Sequence, residues 1–288
     1  MNVHFEVEPI NERIGAYVKV APEDVMKEGI PERIMDALNK YNVLVFPQVN
    51  MSDEQFVALS DHFGEKHDLR NTMDDSEVSK LGIYRIEKVD KDKNQLDYIR
   101  GNDLWHTDGT MYNVPGKSTM LKCERPASSG GETEFANLFA AYDAMPEARR
   151  QEIENLRVIH CFAAVGVRLY DAPTEDDFAR WNAAFPESER PLVWHQKDGR
   201  TSLLIGGTAS HIKDMGREEG RKLLDELEAW CTQPEFVYRH TWTKGDMVMF
   251  NNPGLMHRSL PYSEQSGRIM HRTTIKGMEE IEAQPVAA

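Results

Sequence analysis

Apolar residues recur along this chain in short runs separated by polar turns, a pattern typical of a protein rich in β-strands. The runs Val43–Phe46 and Met247–Asn251 are almost wholly apolar and predict buried strands. Many short strands with few helices favour a mainly β fold, either a sandwich or a jelly roll decorated by helices. Further strands are predicted at 81–86, 104–108, 118–123, 132–135, 157–163, 192–195, 202–205, 235–242 and 268–275.

Helical signals occur at both ends of the first predicted strand. Residues 31–41 begin with Pro31, which suits a first helical turn. Ser52 and Gln55 match a capping box and predict a helix that ends at Gly64.

Two further helical regions are predicted later in the chain. One is a helical pair over 137–156 that is interrupted near Pro146. The other is an amphipathic helix over 217–232, and we assign its apolar face to the core rather than to a cofactor. That face consists of Leu223, Leu224, Leu227, Trp230 and Cys231.

Two polar stretches are harder to assign to regular structure. Residues 87–104 are charged and predict a loop, which belongs to a substrate lid expected over 64–104. Residues 171–190 are polar and acidic and predict a short helix within an insertion.

Composition narrows the class of protein. The 288 residues contain 40% hydrophobic residues, and no repeat or linker divides them, so we expect one domain over 1–288. No apolar run is long enough to cross a membrane. The net charge of −14 disfavours binding to nucleic acid or anionic lipid. A small anionic substrate would therefore need a local basic pocket.

The cysteines and the N-terminus predict a compartment. Cys123, Cys161 and Cys231 are odd in number and lie at unrelated spacings, which predicts reduced thiols. The first residues contain no basic region followed by an apolar one, so no signal peptide is expected. We expect a cytoplasmic protein, with a homo-oligomer as its assembly.

One tripeptide has the spacing of a metal site. On a strand at 104–108, His106 and Asp108 would point to the same face, because side chains alternate. With His257 they would form a set of two imidazoles and one carboxylate that suits Fe(II) and O₂ chemistry. Zinc accepts the same donors. A core or surface histidine without a metal is the alternative for an isolated His-x-Asp.

A late strand carries two arginines on one face. Alternation places Arg268 and Arg272 together with Met270. Guanidinium groups on an apolar strand are costly unless they meet anions, and their planar fork suits carboxylates. The alternative is an exposed edge strand with solvated arginines.

Several stretches resemble one enzyme family from about residue 40 to 277. Taken together they resemble the taurine dioxygenase / 2,4-dichlorophenoxyacetate dioxygenase family of Fe(II)- and 2-oxoglutarate-dependent oxygenases, and the later stretches favour the phenoxyacetate branch. The stretches are Leu-Trp-His-Thr-Asp (104–108), Ser-Ser-Gly-Gly-Glu-Thr-Glu-Phe (128–135), Ala-Ala-Tyr-Asp-Ala-Met-Pro (140–146), Ala-Ser-His-Ile (209–212), Glu-Phe-Val-Tyr-Arg-His-Thr-Trp (235–242) and Arg-Ile-Met-His-Arg-Thr-Thr-Ile (268–275).

The resemblance implies a double-stranded β-helix (jelly roll) and a role for each matching residue. The iron ligands would be His106, Asp108 and His257. The distal carboxylate of 2-oxoglutarate would be bound by Thr133 and Arg268.

The same resemblance implies a set of substrate residues. Arg272 matches the position that meets the substrate's acidic group, and Asn102 matches a pocket asparagine. His195 is a looser match because one residue is missing there, and His67 is weaker again. The chain departs from the family beside the distal histidine, where Phe250 would pack against 2-oxoglutarate.

The implied reaction uses Fe(II), 2-oxoglutarate and O₂ and releases succinate and CO₂. Asp108 favours hydroxylation, because related halogenases lack this carboxylate. The expected substrate is a small carboxylate, foremost an aryloxyalkanoate that would break down to a phenol and an oxo acid. A sulfonate such as taurine is the second candidate, and a non-catalytic metal-binding jelly roll is the third.

Overall fold

Sheet is the main component of the computed structural model, which describes residues 3–67, 77–88 and 93–282. In chain order the strands are β1 (Glu6–Pro9), β2 (Ala16–Lys19), β3 (Val43–Phe46), β4 (Tyr84–Ile86), β5 (Gly116–Arg125), β6 (Thr133–Asn137), β7 (Arg157–His160), β8 (Ser188–Pro191), β9 (Val193–His195), β10 (Thr201–Leu203), β11 (Ala209–Ile212), β12 (Val237–His240), β13 (Met247–Asn251), β14 (Leu255–Ser259) and β15 (Ile269–Lys276).

Helices surround these strands. They are α1 (Ile30–Tyr41), α2 (Asp53–Phe63), α3 (Glu77–Lys80), α4 (Lys93–Gly101), α5 (Leu138–Asp143), α6 (Glu147–Ile153), α7 (Phe162–Leu169), α8 (Glu175–Ala184) and α9 (Arg217–Cys231). Within the described ranges, none of them combines the length and the apolar character that crossing a membrane requires.

Two sheets enclose the layer in which the candidate site lies. Over the described chain, the larger sheet has seven strands in the order β1-β2-β3-β13-β5-β15-β4, and the smaller has three in the order β12-β6-β14. Neighbouring strands are antiparallel except β2 and β3. Leu121, Val248 and Phe250 of the larger sheet join Phe135 and Leu255 of the smaller one in a single buried cluster.

The outer face of the larger sheet is covered by α1 and α2. Ile34 and Leu38 of α1 and Phe56 of α2 pack with Leu44 and Met249 of the sheet. The capping box predicted for α2 is confirmed, since the side chains of Ser52 and Gln55 each accept the other's backbone N–H. Because α1 and α2 cover this face of the larger sheet, the candidate site lies on its opposite face.

The amphipathic helix α9 covers a separate core cluster. Its predicted apolar stripe is confirmed as core: Leu223, Leu224, Leu227 and Cys231 are buried. Trp230 is partly buried, and its Nε1 donates to the carbonyl of Ala141 at 2.9 Å. The helical pair interrupted near Pro146 is also confirmed, as α5 and α6.

Three predictions of local structure were wrong. The loop predicted over 87–104 contains the helix α4, and the strand predicted over 157–163 ends at His160 and is followed by α7. Residues 104–108 form no strand, since His106 makes only an isolated bridge. In each case contacts with distant parts of the chain determine the backbone conformation, and the local spacing of apolar and polar residues does not predict such contacts. Residues 68–76 and 89–92 of the expected lid lie outside the described chain.

Candidate metal centre and adjoining cavities

His106, Asp108 and His257 meet between the two sheets. The backbones of the two histidines exchange hydrogen bonds of 3.0 and 2.8 Å, which fixes their rings side by side with centroids 4.2 Å apart. The Nε2 atoms of His106 and His257 lie 3.8 and 3.9 Å from the two carboxylate oxygens of Asp108. One potential ligand atom from each residue lies within 4.8 Å of the others. This is the spacing of groups around one cation.

The protonation of the two imidazoles suits a metal. Burial lowers the pKa of His106, and burial together with the neighbouring His106 lowers that of His257 well below its ordinary value. Both rings are therefore neutral near pH 7 and keep a lone pair for a cation. His106 Nδ1 lies 2.8 Å from the carbonyl of Leu104, whereas its buried Nε2 has no hydrogen-bond partner within the described chain. A metal ion would satisfy that nitrogen.

Asp108 is held as a carboxylate. Burial alone would raise its pKa, but Arg272 and the two histidines outweigh burial and hold the pKa below its ordinary value. Arg272 Nη2 donates to Asp108 Oδ2 at 2.8 Å, and Thr119 Oγ1 donates to the same oxygen at 3.2 Å. Such outer partners orient a metal-binding carboxylate.

A second group of histidine and carboxylate residues has the spacing of a metal site but already holds the cation of a lysine side chain. Asp53, Glu124 and His271 are also close enough for one cation. Lys122 already occupies this position, with its Nζ 2.6 Å from Asp53 and 2.8 Å from Glu124. Its ammonium also donates to the carbonyl of Met51 at 3.1 Å. The cation of this group is therefore the lysine, and only the first cluster has the orphaned nitrogen that a metal would satisfy.

A basic cavity adjoins His257. Arg268 is buried, with 5% of its surface exposed, and its Nε has no hydrogen-bond partner in the part of the chain described. Thr133, Tyr262 and Phe250 line this cavity with it, and the ring of Phe250 packs 4.6 Å from that of His257. A buried guanidinium with an unused donor is a binding site for an anion.

The Gly130-Gly131 turn makes room for this arginine. Both glycines have positive φ, 72° and 75°. A Cβ on Gly130 would collide with the carbonyl oxygen of Pro261, and one on Gly131 would lie 3.1 Å from Arg268 Cδ. The turn delivers Thr133 to the cavity, and its Oγ1 accepts a hydrogen bond from Trp242 Nε1 at 2.9 Å.

A second cavity opens on the other side of Asp108. Its lining includes His106 and Asp108, several threonines, and a set of aromatic and apolar side chains. Asn102 lines both cavities and thus stands between them. The apolar lining comes from Tyr98, Met111, Tyr112, Phe162, Val165 and Phe185. Such a surface would accept a flat apolar group next to the candidate metal centre.

Comparison with known proteins agrees with this geometry. Residues 6–274 match the model of the family described as taurine catabolism dioxygenase TauD, TfdA family. The chain belongs to the TauD/TfdA family. It is 35% identical over 253 residues to an alpha-ketoglutarate-dependent 2,4-dichlorophenoxyacetate dioxygenase of Cupriavidus pinatubonensis, covering 84% of this chain and 86% of that protein.

Two further relatives of this TauD/TfdA protein are alike over nearly full length. An (S)-phenoxypropionate/alpha-ketoglutarate-dioxygenase of Sphingobium herbicidovorans is 31% identical over 282 residues, 96% of each chain. The crystal structure of AAD-2 in complex with Mn(II) and N-oxalylglycine superposes with a TM-score of 0.81 at 29% identity, covering 97% of this chain and 100% of that one.

Most of the site residues predicted from the sequence of this TauD/TfdA chain lie together. Arg268 and Arg272 line one cavity, although β15 begins only at Ile269 and contains a bulge after it. Arg272 binds Asp108 at 2.8 Å, and its expected contact with the acidic group of a substrate stays a prediction. His67 lines neither cavity, but its ring lies 4.8 Å from that of Tyr112, which lines the second.

His195 does not lie in this site. Its side chain is 58% exposed on the hairpin of β9 and β10, and its ring nitrogens lie 2.6 Å from Glu154 and 3.0 Å from Thr201. It lines neither cavity. The sequence match was one residue short, and on a strand such a shift moves a side chain to the opposite face.

Sequence reasoning missed three residues of the site. Thr119 supports Asp108, Tyr98 hydrogen-bonds Arg272, and Tyr262 covers Arg268. Tyr98 lies in the stretch predicted to be a loop, where Leu96 and Ile99 already had helical spacing. No local signal identified Thr119 or Tyr262.

Proposed function

We propose that this protein is an Fe(II)- and 2-oxoglutarate-dependent dioxygenase that hydroxylates a small carboxylate-bearing substrate, foremost an aryloxyalkanoate. The observation that supports it most is the cluster of His106, Asp108 and His257 beside a buried, underused Arg268. Two imidazoles and one carboxylate with open positions suit Fe(II) better than a structural zinc site. Bound iron would supply the oxidation of the substrate by O₂ at the expense of 2-oxoglutarate, with release of succinate and CO₂.

We assign co-substrate binding to Thr133, Arg268 and Phe250. Arg268 would pair with the distal carboxylate of 2-oxoglutarate, and the hydroxyl of Thr133 would share it. Phe250 would form an apolar wall beside the carbon chain, since it is fully buried against His257. These roles require an anion with two carboxylates. Its distal carboxylate would pair with Arg268, and its other end would reach the metal centre at His257.

We assign the substrate to the second cavity. Its aromatic lining suits an aryl ring, and the names of the relatives, which act on 2,4-dichlorophenoxyacetate and (S)-phenoxypropionate, support an aryloxyalkanoate. Arg272 lines the first cavity, but it contacts Asp108 and Tyr98, which line the second. A guanidinium has five N–H donors, and those that remain free would meet the acidic group of the substrate. Asn102 and His67 would complete the pocket. Hydroxylation next to the ether oxygen would yield a phenol and an oxo acid.

We further propose that residues 1–288 form one domain whose facing sheets are a double-stranded β-helix. A cytoplasmic location is part of the proposal and is supported by Cys123, Cys161 and Cys231, which are free and buried. We also propose a homo-oligomer, for which a sedimentation measurement is the direct test.

The metal and co-substrate assignment has a spectroscopic test. Anaerobic addition of Fe(II) and 2-oxoglutarate to the wild type should produce a visible charge-transfer band. His106→Ala should lose this band because one ligand is gone. His195→Ala is the matched control, since His195 lies outside the site, and should keep it. A wild-type protein without a band would favour a non-catalytic or zinc-binding role.

The substrate assignment is tested with a panel of candidate substrates. Succinate formation should rise with aryloxyalkanoates and stay near the unstimulated rate with taurine. Arg272→Met should raise KM for the aryloxyalkanoate, but this change also removes a partner of Asp108, so binding of Fe(II) must be measured alongside. Stimulation by sulfonates alone would replace the substrate class while keeping the reaction.

A further inference from the structure

Tyr262 lies between two cations at the edge of the co-substrate cavity. Lys88 Nζ is 3.9 Å from the centre of its ring, and Arg268 Cζ is 4.8 Å from the same centre. Both distances are those of cation–π contacts. The backbone of Tyr262 is bridged to Gly130, so its ring is anchored to the turn that leads to Thr133.

Lys88 is buried without a close carboxylate partner among the described residues. Its side chain is 6% exposed, and Asp103 Oδ2 lies 3.8 Å away, beyond hydrogen-bond distance. The other oxygen, Asp103 Oδ1, is buried with no hydrogen-bond partner in the described chain. Burial lowers the pKa of Lys88 and outweighs the charges of Asp103 and Glu264, which act to raise it, while the charges of Arg268 and Arg100 lower it further. Lys88 and Arg268 therefore belong to one electrostatic group.

Among the described residues, the positive charge of this group exceeds the negative charge close to it. Within the described part of the chain, the two buried cations Lys88 and Arg268 lie near the carboxylate of Asp103. Glu264 also acts on Lys88, but it already pairs with Arg100 at 3.0 Å. Burying an uncompensated cation is costly. The excess positive charge lies beside a cavity, and an anion bound there would compensate it.

We propose that Lys88 is a positioning residue for the distal carboxylate of 2-oxoglutarate, acting through Tyr262. It holds the Tyr262 ring against Arg268 and adds a second positive charge to the subsite. This inference rests on the proposed function, because it takes 2-oxoglutarate as the anion. It adds two residues, Lys88 and Tyr262, to the assignment of Thr133 and Arg268.

The test measures binding rather than turnover. In anaerobic, Mn(II)-loaded protein, calorimetry should show the Kd for 2-oxoglutarate rising about tenfold in Lys88→Met, as expected for loss of one buried cation contact. Lys88→Arg should restore binding to within about threefold, because charge and ring contact are kept. Pyruvate, which has the same chelating end without the distal carboxylate, should bind the wild type and Lys88→Met alike.

Coupling between the two residues provides a second measurement. Tyr262→Leu should weaken 2-oxoglutarate binding, and the double variant should lose less than the sum of the two single losses, because Lys88 acts through that ring. Lys122→Met is the matched control for loss of a buried lysine, since Lys122 pairs with Asp53 and Glu124 away from the cavity, and it should leave the Kd unchanged.

Each outcome has a distinct meaning. Equal weakening of 2-oxoglutarate and pyruvate in Lys88→Met would show a general structural role and overturn the inference. An unchanged Kd for 2-oxoglutarate would overturn it as well. Failure of the wild type to bind 2-oxoglutarate would instead overturn the proposed function.

Discussion

A single carboxylate, that of Asp108, determines the electrostatics of the candidate metal centre. It faces both histidines, and its Oδ2 accepts from Arg272 and Thr119. These donors stabilise the ionised form and leave Oδ1 directed toward His106. A carboxylate held in this way has little freedom to change its mode of ligation, so the residues behind it should influence metal affinity.

Thr119→Val tests this at the residue scale. Removing the hydroxyl should weaken Fe(II) or Mn(II) binding about tenfold, the lower end of effects for outer partners of metal ligands. Thr119→Ser should retain most of the affinity. Thr273→Val is the control, because Thr273 is also fully buried and its hydroxyl has no partner within the described chain. Metal titration gives the comparison, and equal affinities in all variants would contradict the prediction.

The sequence could identify the candidate metal ligands, but not the residues that hydrogen-bond to them. His106 and Asp108 are two residues apart, and Arg268 follows His257 on a recognisable stretch, so the resemblance carried these assignments. Thr119 is defined as a site residue only by its contacts with Asp108 and with Thr274 across the sheet. No short pattern records such a contact.

At the scale of elements, a buried carboxylate joins the helices beside the second cavity. Asp97 of α4 is 1% exposed and accepts hydrogen bonds from Arg180 Nη1 at 2.8 Å, from Trp181 Nε1 at 3.0 Å and from the hydroxyl of Tyr170. Trp181 packs directly on Gly166 of α7, where a Cβ would collide with its ring. Asp97 therefore fixes α4, with the neighbouring Tyr98, against α7 and α8.

Asp97→Asn should weaken the packing of α4 against α7 and α8. We expect a lower Tm and a several-fold higher KM for the substrate, with binding of 2-oxoglutarate unchanged, because Thr133, Arg268 and Phe250, which we assign to 2-oxoglutarate, lie outside α4, α7 and α8. Glu189→Gln is the matched control. Glu189 lies on β8, is also 1% exposed, and pairs with Arg157 and Lys213. A rise in substrate KM of equal size in both variants would show that stability alone is responsible.

Elements with a strong local pattern were predictable, and those made by distant contacts were not. Helices α1, α2 and α9 have caps or stripes in the sequence and were found where predicted. Helix α4 is polar on most of its surface, and its anchor Asp97 looks like any other acidic residue. Strand β14, which carries His257, was not predicted because it is short and follows β13 after a tight turn at Asn252–Gly254.

At the scale of the molecule, buried carboxylates make stability depend on pH. Burial would raise the pKa of Glu189, but Lys213 and Arg157 outweigh it and lower the pKa, and the same balance holds for Asp97 with its three donors. Because the folded-state pKa is depressed, the stabilisation is present above the unfolded-state pKa and is lost as pH falls through the folded value.

The urea midpoint should therefore fall between about pH 5 and pH 2. Glu189→Gln should show a shallower fall, since one such carboxylate is gone, although its stability at pH 7 is lower. Equilibrium unfolding followed by circular dichroism at several pH values measures both. Identical slopes for the wild type and the variant would contradict the assignment of Glu189 to this effect.

The ion pair of Arg272 and Asp108 joins residues 164 positions apart, and this separation affects the protein during its synthesis. On a ribosome adding about 5–20 residues per second, Asp108 emerges on the order of ten seconds or more before Arg272 does. For most of this interval the nascent chain has His106 and Asp108 but not His257, which precedes Arg272 by only 15 residues. The proposed iron ligands, together with the arginine that pairs with Asp108, are therefore all present only after translation has passed Arg272.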